Sequence, residues 1–273
     1  MQLLKDETLR IAPITAAINY TWTALSASWK NTAIVAMVLV LLSIATLIPL
    51  VGLVASLIQG ILLYALAYWV VDRLKSSVSI EDFKTKIATE SDAKGMMVGF
   101  FSPAMGFYVG FMIFSLLMML ITFGIFWLSG GFSAMDVMMQ QQAPNVSSQE
   151  VTAMYTHLFA TSTPALLFML LSSAFLGYVW PLVYGYALFQ RTFGDAFNAI
   201  FMLFSPRFWK ASFTWAYFKL VSLWMLILLG VGLLTGFAIA IVILLPLGVL
   251  MMMWMVYFSA IVAAEAYDMA EDI

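Results

Sequence analysis

The chain has 273 residues, of which 64% are hydrophobic and 10% charged, and its 12 Lys and Arg nearly balance its 14 Asp and Glu. A soluble domain is about a quarter charged, so this composition excludes an ordinary soluble fold, and the net charge of −2 gives no basis for nucleic-acid binding. Cysteine is absent, which excludes disulfides, thiolate metal sites and a cysteine nucleophile.

The mixed-charge start "MQLLKDETLR" precedes the first apolar run and argues against a cleavable signal peptide. No charged side chain occurs between Lys30 and Asp72, Lys94 and Asp136, Glu150 and Arg191, or Lys219 and Glu265. Each gap is about twice the roughly 20 residues that one span requires. The gaps Lys30–Asp72 and Lys219–Glu265 therefore predict two helices each, joined by a tight turn. "IPLVG" at 48–52 and "LPLG" at 245–248 supply the turns: Pro49 and Pro246 break the helix, and Gly52 and Gly248 let the chain reverse. This predicts helices over 32–48 and 52–71, and again over 213–243 and 247–264. The alternative is one long kinked helix lying partly in the interface. The middle of the chain predicts spans over 106–128 and 163–190, the second kinked at Pro181, with a polar loop over 129–162 between them.

In this six-span arrangement all 12 basic residues fall on one side, and the positive-inside rule then places both termini in the cytoplasm. A helical-period segment precedes each hairpin. The first carries Ile14, Ile18, Trp22, Leu25 and Trp29; the second Ile80, Phe83 and Ile87; the third Phe193, Phe197, Ile200, Phe204 and Phe208. Such segments are expected to lie along the cytoplasmic interface. Trp29-Lys30 and Trp209-Lys210 occupy matching places before a span, and Asp72 and Asp268 match after one. The expected architecture is thus an all-α integral membrane protein with six transmembrane helices as three hairpins. Each hairpin follows an interfacial amphipathic helix, in a pseudo-threefold repeat over 14–74, 79–190 and 193–268 within a single membrane domain. Convergent composition is the competing explanation, and the matching order of features favours the repeat.

The "LIPLVG" tip followed by the tyrosine-rich exit "LLYALAYWVVD" at 62–72 resembles a group of bacterial six-helix proteins similar to the membrane domain fused to some glycerophosphodiester phosphodiesterases. The resemblance covers most of the chain and implies an architecture in a bacterial inner membrane. The soluble phosphodiesterase domain has no counterpart here, so its activity is not implied.

Chemistry-bearing residues are few. No HExxH, GxSxG, P-loop or GxGxxG in a strand-helix setting occurs, so no enzyme and no cofactor are expected. Met135, Met138, Met139, Met154 and the lone histidine, His157, could gather round a soft metal, although loose packing or partner contact also explains them. Gln59, Ser172, Ser173 and Thr235 are expected to bond between helices, and Gly106 with Gly110 to permit close helix approach, as in a second row at Gly232, Gly236 and Ala240. Glu265 is the acid nearest the membrane, expected at the cytoplasmic exit; a deeper position makes it a functional candidate. The expected function is binding or transport of a lipid-like or other hydrophobic molecule. The alternative is an accessory subunit docking partners in a membrane complex or a homo-oligomer. A polar-solute transporter is disfavoured by the lack of charge inside the spans.

Overall fold

Side-chain caps and prolines set where many of the helices begin. The computed structural model describes residues 4–90, 92–140, 148–241 and 244–271, and among these every regular element is helical. α1 (Glu7–Ile11) starts at Asp6, whose Oδ1 accepts from the Thr8 N–H at 2.8 Å. Pro13 opens α2 (Pro13–Ala27), a position where its missing N–H is no loss. The chain bends at Ser28, and α3 (Trp29–Ala45) leaves at 90° to α2. α4 (Val51–Ser76) and α5 (Ile80–Glu90) follow. Asp92 caps α6 (Ala93–Val98), and next come α7 (Phe101–Leu128), α8 (Gly131–Gln140) and α9 (Ser148–Leu188). Thr192 caps α10 (Phe193–Ala199), which passes into a 3-10 turn at Ile200–Phe204. Pro206 opens α11 (Pro206–Ser212), Thr214 caps α12 (Trp215–Ala240), and α13 (Leu245–Glu271) ends the described chain. Five helices are long and apolar enough to cross a membrane, and the count reaches six when α2 and α3 are taken as one bent span. That is the helix content of a multi-pass membrane protein.

The helices form two units, Met1–Phe111 with Val179–Ile273, and Met112–Tyr178. In the first unit α13 is the centre, with α12, α2, α4 and α3 packed on it. Tyr257, Phe258, Ile261, Ala263 and Ala264 are fully buried there, and the Trp69 and Tyr257 rings lie 6.0 Å apart. A second cluster joins Tyr64, Phe107, Trp180 and Tyr184, with Phe107 stacked on Tyr184 at 5.6 Å. Glycines set the close approaches. A Cβ at Gly106 would lie 2.2 Å from the Phe193 carbonyl oxygen, and one at Gly110 2.7 Å from that of Phe197. The GxxxG thus seats the backbone of α10, as its spacing predicts. The row Gly232-Gly236-Ala240 behaves otherwise: a Cβ at Gly236 meets nothing within 4 Å.

The turn chemistry differs from expectation in one respect. The left-handed residue after Pro49 is Leu50, at φ 66°, and not Gly52. Gly52 is required for space instead, because a Cβ there would meet the Thr46 carbonyl oxygen at 2.4 Å. Pro246 lies inside the first turn of α13, not between helices, while Gly248 lets α13 approach Ile239 of α12. Residues 242 and 243 of the predicted 213–243 helix lie outside the described residues.

In the second unit, the expected polar loop at 129–162 is largely helical, as α8 and the first part of α9. No glycine or proline interrupts 148–163. Thr156, Thr161 and Ser162 turn their hydroxyls onto carbonyls one turn back, which absorbs their polarity inside the helix. Ser129 Oγ donates to the Thr161 carbonyl at 2.6 Å, and Phe132 packs edge-on against Phe123 and Phe126. α9 is helical without a break through Pro164 and Pro181.

The three segments expected at the interface take different forms. α5 buries Phe83 and Ile87 completely, with Phe83 edge-on to Tyr20 at 4.9 Å. α2 buries Ala16, Ala17, Tyr20, Thr21 and Ala24 against protein and leaves Trp22 59% exposed. The third segment breaks at Ser205 and buries Ala196, Ala199, Ile200 and Leu203, while Phe204 is exposed. The break is local to Ser205, which is extended (φ −83°, ψ 126°) as the residue before a proline favours, and Pro206 then opens the next helix.

Candidate functional site

A space opens beside the right angle between α2 and α3. It is an apolar groove of about 860 Å³ in the first unit. Trp22 and Leu25 of α2 form one wall, Trp29, Ala33 and Met37 of α3 the floor, and Leu250 and Trp254 of α13 the other side. The Trp22 and Trp254 ring centroids lie 6.3 Å apart with the planes tilted by 55°. Its lining carries no titratable side chain, and its polar members are Ser26 and Thr32. Ser26 Oγ donates to the Trp22 carbonyl at 2.8 Å. Thr32 Oγ1 and Trp254 Nε1 are buried in this region with no hydrogen-bond partner among the described residues. A concave, mostly apolar space of this size suits a hydrophobic small molecule. Trp29 therefore belongs to the groove, whereas Trp209 donates its indole N–H to the Leu203 carbonyl at 3.0 Å and does other work. The groove was missed in the sequence because it depends on the 90° bend at Ser28, for which no proline or glycine gives warning.

The second unit holds a separate apolar cavity of about 510 Å³, lined by Met118, Phe123, Phe126, Met169 and Leu176 with Ser162 and Ser172. Its Ser172 hydroxyl bonds back to the Phe168 carbonyl, within its own helix. Thr235 does the same with Val231, so neither joins two helices as expected. Gln59 does: its Nε2 donates to Ser43 Oγ at 3.0 Å, linking α4 to α3.

Of the methionine and histidine set, Met135 and Met139 lie on α8, and Met154 and His157 lie on α9, where His157 is exposed. The side chain of Met138 lies outside the described residues. Among the described residues no group of three or more His, Asp or Glu side chains converges to hold a metal ion.

Charged groups collect where the first unit's helices end. Arg191 donates to Asp72 at 2.5 Å, Arg73 pairs with Glu90 at 2.7 Å, and Lys75 lies over the Phe189 ring at 4.2 Å. The Tyr20 hydroxyl donates to Asp6. Burial works against ionisation of Asp6, but the donors Tyr20 and Thr8, the latter through both N–H and hydroxyl, outweigh it and hold the carboxyl below its usual range. Glu265, near the end of α13, is 3% exposed and shut in by protein. Set against protein-family models, curated proteins and solved structures, the chain matches none.

Proposed function

We propose that this protein is a non-enzymatic multi-pass membrane protein that binds, and in binding transports or presents, a lipid-like hydrophobic molecule in the groove between α2, α3 and α13. The observation that carries this reading is the groove itself: about 860 Å³, with no titratable residue in its lining. Such a lining can hold an apolar molecule but offers no acid, base or charge for bond breaking. The topology that fits is six spans as three hairpins, each preceded by an interfacial helix, with both termini in the cytoplasm of a bacterial inner membrane. The one-sided distribution of the 12 basic residues supports that orientation, and the resemblance to phosphodiesterase-linked membrane domains supports the architecture. The test is to fill the groove. Ala33 is exposed to it, so Ala33→Trp adds bulk without entering the core. Lipid extracted from wild-type protein purified in mild detergent should contain a species that Ala33→Trp protein lacks; identical lipid complements would remove the reading.

A second reading, an accessory subunit that docks a partner, draws on a different observation. Tyr155 is 56% exposed and Phe159 68% exposed, both in the 129–162 stretch expected to stand outside the membrane. Large aromatic side chains in that position suit protein contact. Crosslinking from Phe159 to another chain in intact membranes would favour this role.

A further inference from the structure

Glu265 is the most anomalous side chain in the first unit. It is 3% exposed, and neither carboxyl oxygen has a hydrogen-bond partner among the described residues. Its neighbours along α13, Ile261, Val262, Ala264 and Ala266, are fully buried and apolar. Buried carboxylates are normally paired with a cation or with donors, because an ionised one shut away from water without either is strongly disfavoured.

Among the described residues no element packed on α13 hydrogen-bonds to it. On α13 itself, Asp268 is one turn on, a like charge that accepts the Leu4 N–H at 3.3 Å. On α2, the titratable group is Tyr20, and its hydroxyl is committed to Asp6. On α4, Arg73 is held by Glu90 and Lys75 by the Phe189 ring, Asp72 binds Arg191, and neither Tyr64 nor Tyr68 hydrogen-bonds to Glu265. On α12, Lys219 lies over Trp215 at 5.3 Å, and Tyr217 is buried without reaching Glu265. Lys30 of α3 and Lys210 of α11 are exposed. The end of α9 offers Tyr186, whose ring packs edge-on against Tyr267. The segment before α2 covers this end of α13: Leu4 and Leu9 are 1% and 2% exposed, Leu4 is tied to Asp268, and its cations Lys5 and Arg10 are exposed and do not hydrogen-bond to Glu265.

We propose that Glu265 is a proton-exchange site, carrying its proton while the N-terminal segment and α2 cover it and releasing it when that cover lifts. On release the O–H bond breaks, the electron pair stays on the carboxylate oxygen, and the proton passes to water. The ligand class is the proton itself, and the site stands apart from the groove, so it holds or fails independently of the lipid reading. A ligand or partner that lifts the cover changes proton binding, and by linkage pH changes the affinity for that ligand or partner.

The test uses the full chain in mild detergent. Infrared difference spectra between wild type and Glu265→Gln at neutral pH should show a protonated-carboxyl band that the variant lacks and that disappears reversibly in alkali. Thermal unfolding follows with a definite sign. A carboxyl neutral in the folded state and ionised in the unfolded one loses folded stability as pH rises, so Glu265→Gln should outlast wild type increasingly from acid to alkaline pH. Should that variant fail to fold, wild-type protein can be treated with a hydrophobic carbodiimide, which reacts with protonated carboxyls; the adduct should map to Glu265. Absence of the band and of the adduct, coincident unfolding profiles, or protection of Glu265 by sodium or potassium ions would each overturn the proton assignment.

Discussion

Replacing Gly185 by alanine tests the packing on which the first unit depends. Gly185 lies near the end of α9, where an added Cβ would stand 2.0 Å from the Ala263 carbonyl oxygen and 2.8 Å from Tyr267 Cβ. Real Cβ contacts do not fall below 3.0 Å, so the two backbones must separate by about 1 Å. The obstructing atom is a backbone carbonyl, and no rotamer change removes it. Moving it disturbs Tyr267, which packs against Tyr186 at 5.5 Å and Phe189 at 5.3 Å. Overpacking of this kind costs about 1–3 kcal/mol, occasionally more, against a helix-propensity gain of about 0.5–1 kcal/mol for replacing glycine by alanine. The net effect expected of Gly185→Ala is a loss of up to about 2.5 kcal/mol. Gly230→Ala is the matched control in the same unit: nothing lies within 4 Å of its added Cβ, so only the gain applies. Thermal unfolding in mild detergent, followed by size-exclusion chromatography, should rank Gly230→Ala at or above wild type and Gly185→Ala clearly below it. Equal stability of the two variants would refute this account of the α9–α13 contact.

Other consequences are open to simpler measurements. Ser43→Ala removes the acceptor for Gln59 between α3 and α4, and should cost about 0.6 kcal/mol, up to about 1.7, in unfolding free energy. Asp6→Asn weakens the tie to Tyr20 and should speed hydrogen exchange across residues 4–11. Because the folded Asp6 carboxyl lies below its usual range, the stability it contributes is present above the unfolded value of about 3.9 and is lost as pH falls through the folded value. The wild-type and Asp6→Asn profiles should therefore converge in acid, and parallel profiles would contradict that. Orientation can be read by single-cysteine labelling, since the chain has no cysteine of its own. Gln149→Cys should label from outside and Ser76→Cys, also exposed, only from the cytoplasm; the reverse pattern ends the proposed topology.

The parts of the fold legible in the sequence are those that lipid dictates. Long uncharged runs became α4, α7, α12 and α13 because a backbone in hydrocarbon has to satisfy its hydrogen bonds internally. Gly106 and Gly110 were readable because close approach requires the absence of a Cβ, and Phe193 and Phe197 lie where that absence is used. Polarity misled at 129–162, where threonine and serine hydroxyls bond back to their own helix. Gly185 carried no motif, since its need arises from Ala263, distant in sequence. The groove depends on a bend at Ser28 whose direction is a tertiary property. Glu265 showed its residue type but not its burial, which comes from helices packed on α13.

The most direct test of the central claim is a high-resolution density map of the protein in a lipid nanodisc, inspected between Trp29 and Leu250. An elongated density in that groove, in contact with Ala33 and Met37 and continuous with no protein chain, is the predicted result. A groove collapsed on its own side chains, or filled by a segment of another protein, would contradict the claim that it holds a lipid-like molecule.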